Sequence, residues 1–320
     1  MMGDEEASFN TFVERLESVS DSYVTFDQHN KLHLRTELIA APGYLVGPGT
    51  TCYTASASTT GQPDVAVKFS WSIADFREGL LFPQSFINRT LSCVATAPLG
   101  RPIQKWTSIP ELLEVLRDLV RALQSLYMDA GIIHRDIAIK NLTMTLQPSA
   151  DSPKGVLIDF DQALELKHVR ANEPLVGSDG FMAIGILSGQ KHTYRHDLES
   201  LFYVFLWLTI GNDHEHDDAD DILNGIPKTS RLWTLCSLDF RAVGQEKAAD
   251  MSPEGFSRML GEFSADFAPL RGLAEELHAL MFPLRDGEIF TGTETEQAAV
   301  KQLYNEMAGA FDRAALAFKK

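Results

Sequence analysis

The chain has 320 residues, 44% of them hydrophobic and 22% charged, proportions that suit a globular protein with a sizeable core. Its formal net charge of −16 would repel nucleic acid and anionic membrane surfaces, so neither is expected as a main partner. Three widely spaced cysteines, Cys52, Cys93 and Cys236, match no zinc pattern or disulfide framework and read as free thiols.

The opening "MMGDEEASFN" is acidic and lacks the apolar centre of a signal peptide. Residues 8–19, "SFNTFVERLESV", have helical apolar spacing and are assigned to an N-terminal helical extension over 1–35. From about Thr36 to Trp71 the texture predicts three short strands separated by Gly-rich turns. "IADFREGLLF" then reads as a helix and "RTLSCVAT" as another strand. "SIPELLEVLRDLVRALQSLYMDAG" predicts an amphipathic helix with Ser108 as N-cap, Pro110 in the first turn and Gly131 beyond the end.

A strand pair follows at "NLTMTL" and "GVLIDF", and after about residue 185 the pattern is helical. "HDLESLFYVFLWLTI" is the hydrophobic centre, while "LRGLAEELHALMF" and "TETEQAAVKQLYNEMAGAFDRAALAF" close the fold. The longest apolar run, from Leu201, is shorter than the ~20 residues that cross a bilayer. These features predict an intracellular protein, cytoplasmic or nuclear. In "GNDHEHDDADD", residues 211–221, His214, His216, Asp217 and Asp218 are a conceivable metal set, but a solvated charge run is the preferred reading.

Within this order lies a spaced set of polar residues. In "IIHRDIAIKN", His134, Arg135, Asp136 and Asn141 fill the pattern H-R-D-x-x-x-x-N, and "VLIDFD" follows with Asp159. Phosphoryl transfer demands an oriented carboxylate for the acceptor hydroxyl, oxygen ligands for Mg²⁺, and donors plus a cation for the nucleotide phosphates. Asp136 answers the first demand as general base, and Asn141 and Asp159 the second. For the third, "GPGTTCYT" places Gly47 and Gly49 where backbone could fold over phosphates. Such a glycine pair also marks a plain hairpin turn. "VAVK" follows, with Lys68 at a strand end aimed at the phosphates and Ala66 lining the adenine site; a strand lysine can also be merely solvated. "GSDGFMAIG", 177–185, and "RHDLES" complete the set, with Asp197 available to the backbone of the Asp136 loop.

Taken together, these stretches resemble the eukaryotic-type protein kinases, and more narrowly the fungal-type protein kinase domain family. The resemblance spans roughly 45–210 and rests on "VAVKFSW", "REGLLF", "LGRPIQKWTSIPELLEVLRDLVRALQSLYMDAGIIHRDIAIKN", "LIDFDQA", "GFMAIGIL" and "HDLESLFYVFLWL". It implies an α+β, bilobal protein kinase-like fold with a small, shortened β-rich N-lobe over 36–97 and a larger helical C-lobe over 98–320. It also implies ATP with Mg²⁺, and transfer to Ser or Thr of a protein substrate. By the same resemblance Lys68 would hold the α- and β-phosphates and Glu78 would pair with it. Asp136 would be the base, and Asn141 and Asp159 the metal ligands.

Departures from the family pattern are informative. Ala138 stands where Ser/Thr kinases carry a lysine, and Lys140 is the nearby basic residue that would supply the charge. Ser178 replaces the usual threonine. Gly185 replaces a glutamate that pairs with a buried arginine, for which Arg285 in "PLRD" is the candidate; restoring the acid by Gly185→Glu is then expected to raise stability. The stretch 163–177 contains no Ser, Thr or Tyr, so an acid such as Glu173 is expected to give Arg135 its negative partner. Besides an active kinase, the sequence accommodates a pseudokinase scaffold and a small-molecule phosphotransferase. It names neither the substrate protein nor an oligomeric state.

Overall fold

A computed structural model describes residues 13–15, 22–25, 31–40, 50–73, 89–146, 152–168, 175–210, 226–236 and 240–319. The chain divides into two compact units, Met1–Leu99 and Gly100–Lys320. The first is built on a sheet and the second is mostly helical, the bilobal mixed α and β architecture of a kinase-like fold.

The first unit holds a six-stranded antiparallel sheet in chain order: β1 (Val13–Arg15), β2 (Ser22–Thr25), β3 (Lys31–Ala40), β4 (Thr51–Ser56), β5 (Val65–Ile73) and β6 (Arg89–Thr96). Side chains alternate across a strand. Val67 and Phe69 of β5 are accordingly buried with Val24, Leu34 and Ala55. Lys68, half-buried, takes the opposite face, with Cys52 and Val94 as its cross-strand partners.

The sheet corrects one expectation. Val13–Arg15, inside the anticipated N-terminal helix, is an edge strand paired Val13↔Val24, Glu14↔Tyr23 and Arg15↔Ser22. β2 and the first half of β3 also lie within 1–35. Helical spacing over 12 residues is a marginal signal in water, and a sheet edge offering backbone partners outweighs it. The segments 41–49, 74–88, 169–174 and 211–225 lie outside the described residues, and with them Gly47, Gly49, Glu78, Glu173 and the His214–Asp218 loop.

The second unit begins with β7 (Gly100–Pro102) and α1 (Ile109–Met128). Ser108 caps α1 by accepting from the Glu111 amide at 3.3 Å, and Glu111 Oε2 reaches back to the Thr107 amide at 2.7 Å. This is close to a capping box, and it starts the helix where the sequence predicts. Short strands β8 (Ile132–Ile133), β9 (Leu142–Thr145), β10 (Gly155–Leu157) and β11 (Leu164–Glu165) form two small sheets, β10-β9-β7 and β11-β8. Then come α2 (Ile184–Leu187), α3 (Tyr194–Ile210), α4 (Arg231–Leu235), α5 (Phe240–Asp250), α6 (Pro253–Leu260), α7 (Arg271–Met281), the hairpin β12 (Leu284–Arg285) and β13 (Glu288–Ile289), and α8 (Gln297–Ala317).

Every residue of α3 is buried. Beyond its polar first turns, from Leu201 on, its side chains are apolar almost all round, so the helix is stable only at the centre of the unit. Phe205 meets Phe311 of α8 edge-on at 5.7 Å, Tyr194 meets Tyr304 at 5.6 Å, and Phe202 meets Phe282 at 6.0 Å. Each such side chain adds about 1.5–3 kcal/mol of burial. This core fixes the first turn of α3, where Asp197 sits. Among the described residues no helix is long and apolar enough to cross a membrane.

Candidate active site

The loop between β8 and β9 carries Asp136, and its path is set from α3. Asp197 Oδ2 accepts from the His134 amide at 2.8 Å and Oδ1 from the Arg135 amide at 3.0 Å. His192 Nε2 lies 2.9 Å from the same Oδ1. Burial works against a charge on Asp197, but the hydrogen bond and charge of His192, the nearby His134 and the His134 amide outweigh it and hold the carboxyl below its ordinary range. Arg135 turns through a left-handed φ of 70°. That conformation is costly for a residue with a Cβ, and the Asp197 clamp on the His134 and Arg135 amides secures it.

His134 is fully buried and packs 4.9 Å from the Phe160 ring. Its Nδ1 accepts from the Asp136 amide at 3.4 Å, so Nε2 carries the proton and donates to Ile158 O at 3.1 Å. The histidine thereby ties the Asp136 turn to the turn that carries Asp159.

Asp136 is half-buried with both carboxylate oxygens engaged. Asn141 Nδ2 donates to Asp136 Oδ2 at 2.9 Å and to its backbone oxygen at 2.8 Å. Ser178 Oγ donates to Oδ1 at 2.6 Å. Each carboxylate oxygen has a further lone pair, so the group is oriented and still able to accept a proton. Because both Asn141 bonds leave from Nδ2, its Oδ1 stays available to a cation among the described residues. Asn141 O accepts the Ile158 amide at 3.0 Å, which brings the residues that follow β10, Asp159 among them, alongside. Asp159, half-buried with φ 65°, starts the turn Phe160–Gln162. A carboxylate plus an amide oxygen is the kind of donor set Mg²⁺ takes when phosphates complete its shell. Lys140 is exposed. Lys68 and Ala66 pair along β5 in the other unit.

The residues behind Ser178 were not foreseen. Lys247 of α5 is fully buried, and its Nζ donates to Gly180 O at 2.8 Å and Met182 O at 2.6 Å. Glu199 of α3 is fully buried, with Oε1 accepting from the Ile184 amide at 2.7 Å and the Tyr203 hydroxyl at 3.1 Å. Arg195, one helical turn earlier, faces Glu199 Oε2 at 3.5 Å and donates to the carbonyls of Met281 and Phe290. Burial raises the Glu199 carboxyl and lowers the Lys247 amine to about 7.

These contacts overturn the pairing expected for Gly185. Arg285 is exposed, in a hairpin whose turn residues Asp286 and Gly287 have φ 54° and 86°. It pairs with Glu294 and stacks 3.5 Å over the Phe290 ring. A Cβ at Gly185 would press on the buried His196 Nε2, and it would stand 2.8 Å from Gln190 Oε1. No room exists there for a glutamate, and the acid near this point comes from Glu199 instead.

Residues 76–209 match the family model described as fungal protein kinase. The match takes in Asp136, Asn141, Asp159, Ser178 and all but the last residue of α3, while Lys68 precedes it. Over that stretch the chain is similar to the fungal-type protein kinase family, and the match supports a protein kinase-like function.

Proposed function

We propose that the chain is an active protein kinase that transfers the γ-phosphate of ATP to Ser or Thr of a protein substrate. The observation that supports this most is the arrangement around Asp136: a carboxylate oriented from one side by Asn141 and from the other by the Ser178 hydroxyl. In this reading Asp136 accepts the proton of the acceptor hydroxyl. Asn141 Nδ2 fixes the carboxylate plane through Oδ2, and Ser178 fixes Oδ1. Arg135 and His134, clamped by Asp197 and Ile158, keep Asp136 from swinging away.

Asn141 Oδ1 and Asp159 would hold Mg²⁺, which supplies charge neutralisation on the phosphates. Lys68, with Glu78 as its partner, would hold the α- and β-phosphates; Gly47 and Gly49 would cover them, and Ala66 would line the adenine site. Exposed Lys140 would supply the cation that Ala138 cannot.

The test is Mg²⁺-dependent ATP binding by calorimetry, with phosphoamino-acid analysis of labelled protein substrates. The proposal expects binding that weakens in Lys68→Met and Asp159→Asn, and label on serine or threonine. Label on tyrosine would reverse the specificity. Binding without any label on protein would favour the scaffold reading.

A further inference from the structure

The segment that brings Ser178 to Asp136 is conformationally permissive. Gly177 and Gly180, on either side of Ser178, have φ 137° and 80°, a region glycine enters freely. A Cβ on Gly180 would stand 2.7 Å from Cys236 Sγ and 3.4 Å from Trp207, so the segment also lies tight against its neighbours. Two glycines of this kind do not hold a hydroxyl at 2.6 Å from a carboxylate unaided. The restraint comes from two helices behind it. Lys247 of α5 takes the carbonyls of Gly180 and Met182, and Glu199 of α3 takes the amide of Ile184.

The two anchors are joined. Lys247 Nζ lies 3.7 Å from the centroid of the Tyr203 ring, and the Tyr203 hydroxyl donates to Glu199. Arg195 closes the far end on Glu199 and the carbonyls of Met281 and Phe290. An apolar side chain would fill the Lys247 site without the desolvation that a buried ammonium incurs. It could not bind two carbonyls.

We propose that Lys247 is a positioning residue: with Glu199 it holds Ser178–Ile184 in the one conformation that places the Ser178 hydroxyl on Asp136. Glu199 and Arg195, both carried on α3, take over the anchoring that a glutamate at position 185 would give. The effect on turnover rests on the kinase reading; the restraint itself does not.

Hydrogen exchange read by mass spectrometry tests the restraint without nucleotide or turnover. In Lys247→Met the amides of 178–184 should exchange roughly tenfold faster or more, as loss of hydrogen bonds to a charged group implies, while α1 and the core of α3 keep their protection. Unchanged exchange at 178–184 in a folded Lys247→Met would overturn the proposal. If Lys247→Met loses protection everywhere, Tyr203→Phe decides, because it keeps the ring and removes only the link to Glu199. Faster exchange confined to 178–184 supports the proposal, and wild-type exchange there refutes it. With transfer established, the folded variant should lose kcat while its KM for ATP stays at the wild-type value; a change in KM for ATP alone would contradict positioning. A wild type that transfers no phosphate would sink the kinase reading and leave the exchange result standing.

Discussion

Gly185→Ala separates two accounts of the segment's end. Gly185 has ordinary backbone angles and lies in α2, where replacing glycine by alanine normally stabilises by about 0.5–1 kcal/mol. Packing reverses the sign here. The added Cβ would collide with Nε2 of His196, which is 1% exposed. The Gln190 side chain is exposed and can move aside, whereas His196 is held by the Thr193 amide, which donates to Nδ1 at 2.9 Å. Overpacking of this kind costs about 1–3 kcal/mol, and a displaced imidazole would lose roughly 1 kcal/mol more with its hydrogen bond. For a domain of this size that lowers Tm by roughly 2–4 °C per kcal/mol. Gly185→Glu should be worse, since its carboxylate enters a buried site whose nearest amide already serves Glu199. Thermal unfolding by circular dichroism measures both, and Gly185→Ala combined with His196→Ala should recover part of the loss. A Tm for Gly185→Ala at or above wild type would refute the packing argument, and a raised Tm for Gly185→Glu would restore the pairing read from sequence.

His196 also sets a pH dependence. Burial, then the nearby His192 and Arg195, lowers its pKa from 6.5 to about 3 against the pull of Asp197. Between those values the unfolded chain binds a proton that the folded chain does not, so stability should fall as pH drops from 6.5, by up to about 1.4 kcal/mol per unit. Asp197, its carboxyl held low, adds its own loss only below its unfolded value of 3.8. Glu199, raised, works in the opposite sense above 4.5. Urea titrations of wild type and His196→Asn from pH 4 to pH 7 isolate the histidine: the wild type should show the steeper decline, and parallel curves would contradict its buried neutral state. At the β12–β13 hairpin, Arg285→Ala should change stability by less than about 1 kcal/mol, as exposed ion pairs do. A loss of several kcal/mol would mean that Arg285 has a buried role after all.

What the sequence made legible follows from what is local. Ser108 and Pro110 announce the start of α1 because a cap acts within one turn. The apolar run of α3 announces a central helix because no face of it can meet water. The spacing from His134 to Asn141 was readable because the single loop between β8 and β9 carries all four residues. The strand at Val13 was not, since its backbone partners come from β2. Lys247 was hidden for the same reason: "GQEKAAD" looks like a solvated helix face, and the carbonyls that bury the lysine belong to a segment more than 60 residues earlier in the chain. Glu199 left a trace as the partner of Arg195 four residues before it, a charge pair at the head of an otherwise apolar helix. Arg285 in "PLRD" was the candidate partner for an acid at 185, and the β12–β13 hairpin turns it to solvent.

If the carboxylate oriented by Asn141 and Ser178 is the general base, its removal must slow the transfer step. The most direct measurement is the single-turnover rate of γ-phosphate transfer from Mg-ATP to protein, for wild type and Asp136→Asn side by side. The wild type should transfer, and the variant should lose about 10²–10⁴-fold, the span of a positioned general base, with ATP affinity retained. Equal rates in the two proteins, or no transfer by the wild type at any Mg²⁺ concentration, would contradict that role for Asp136.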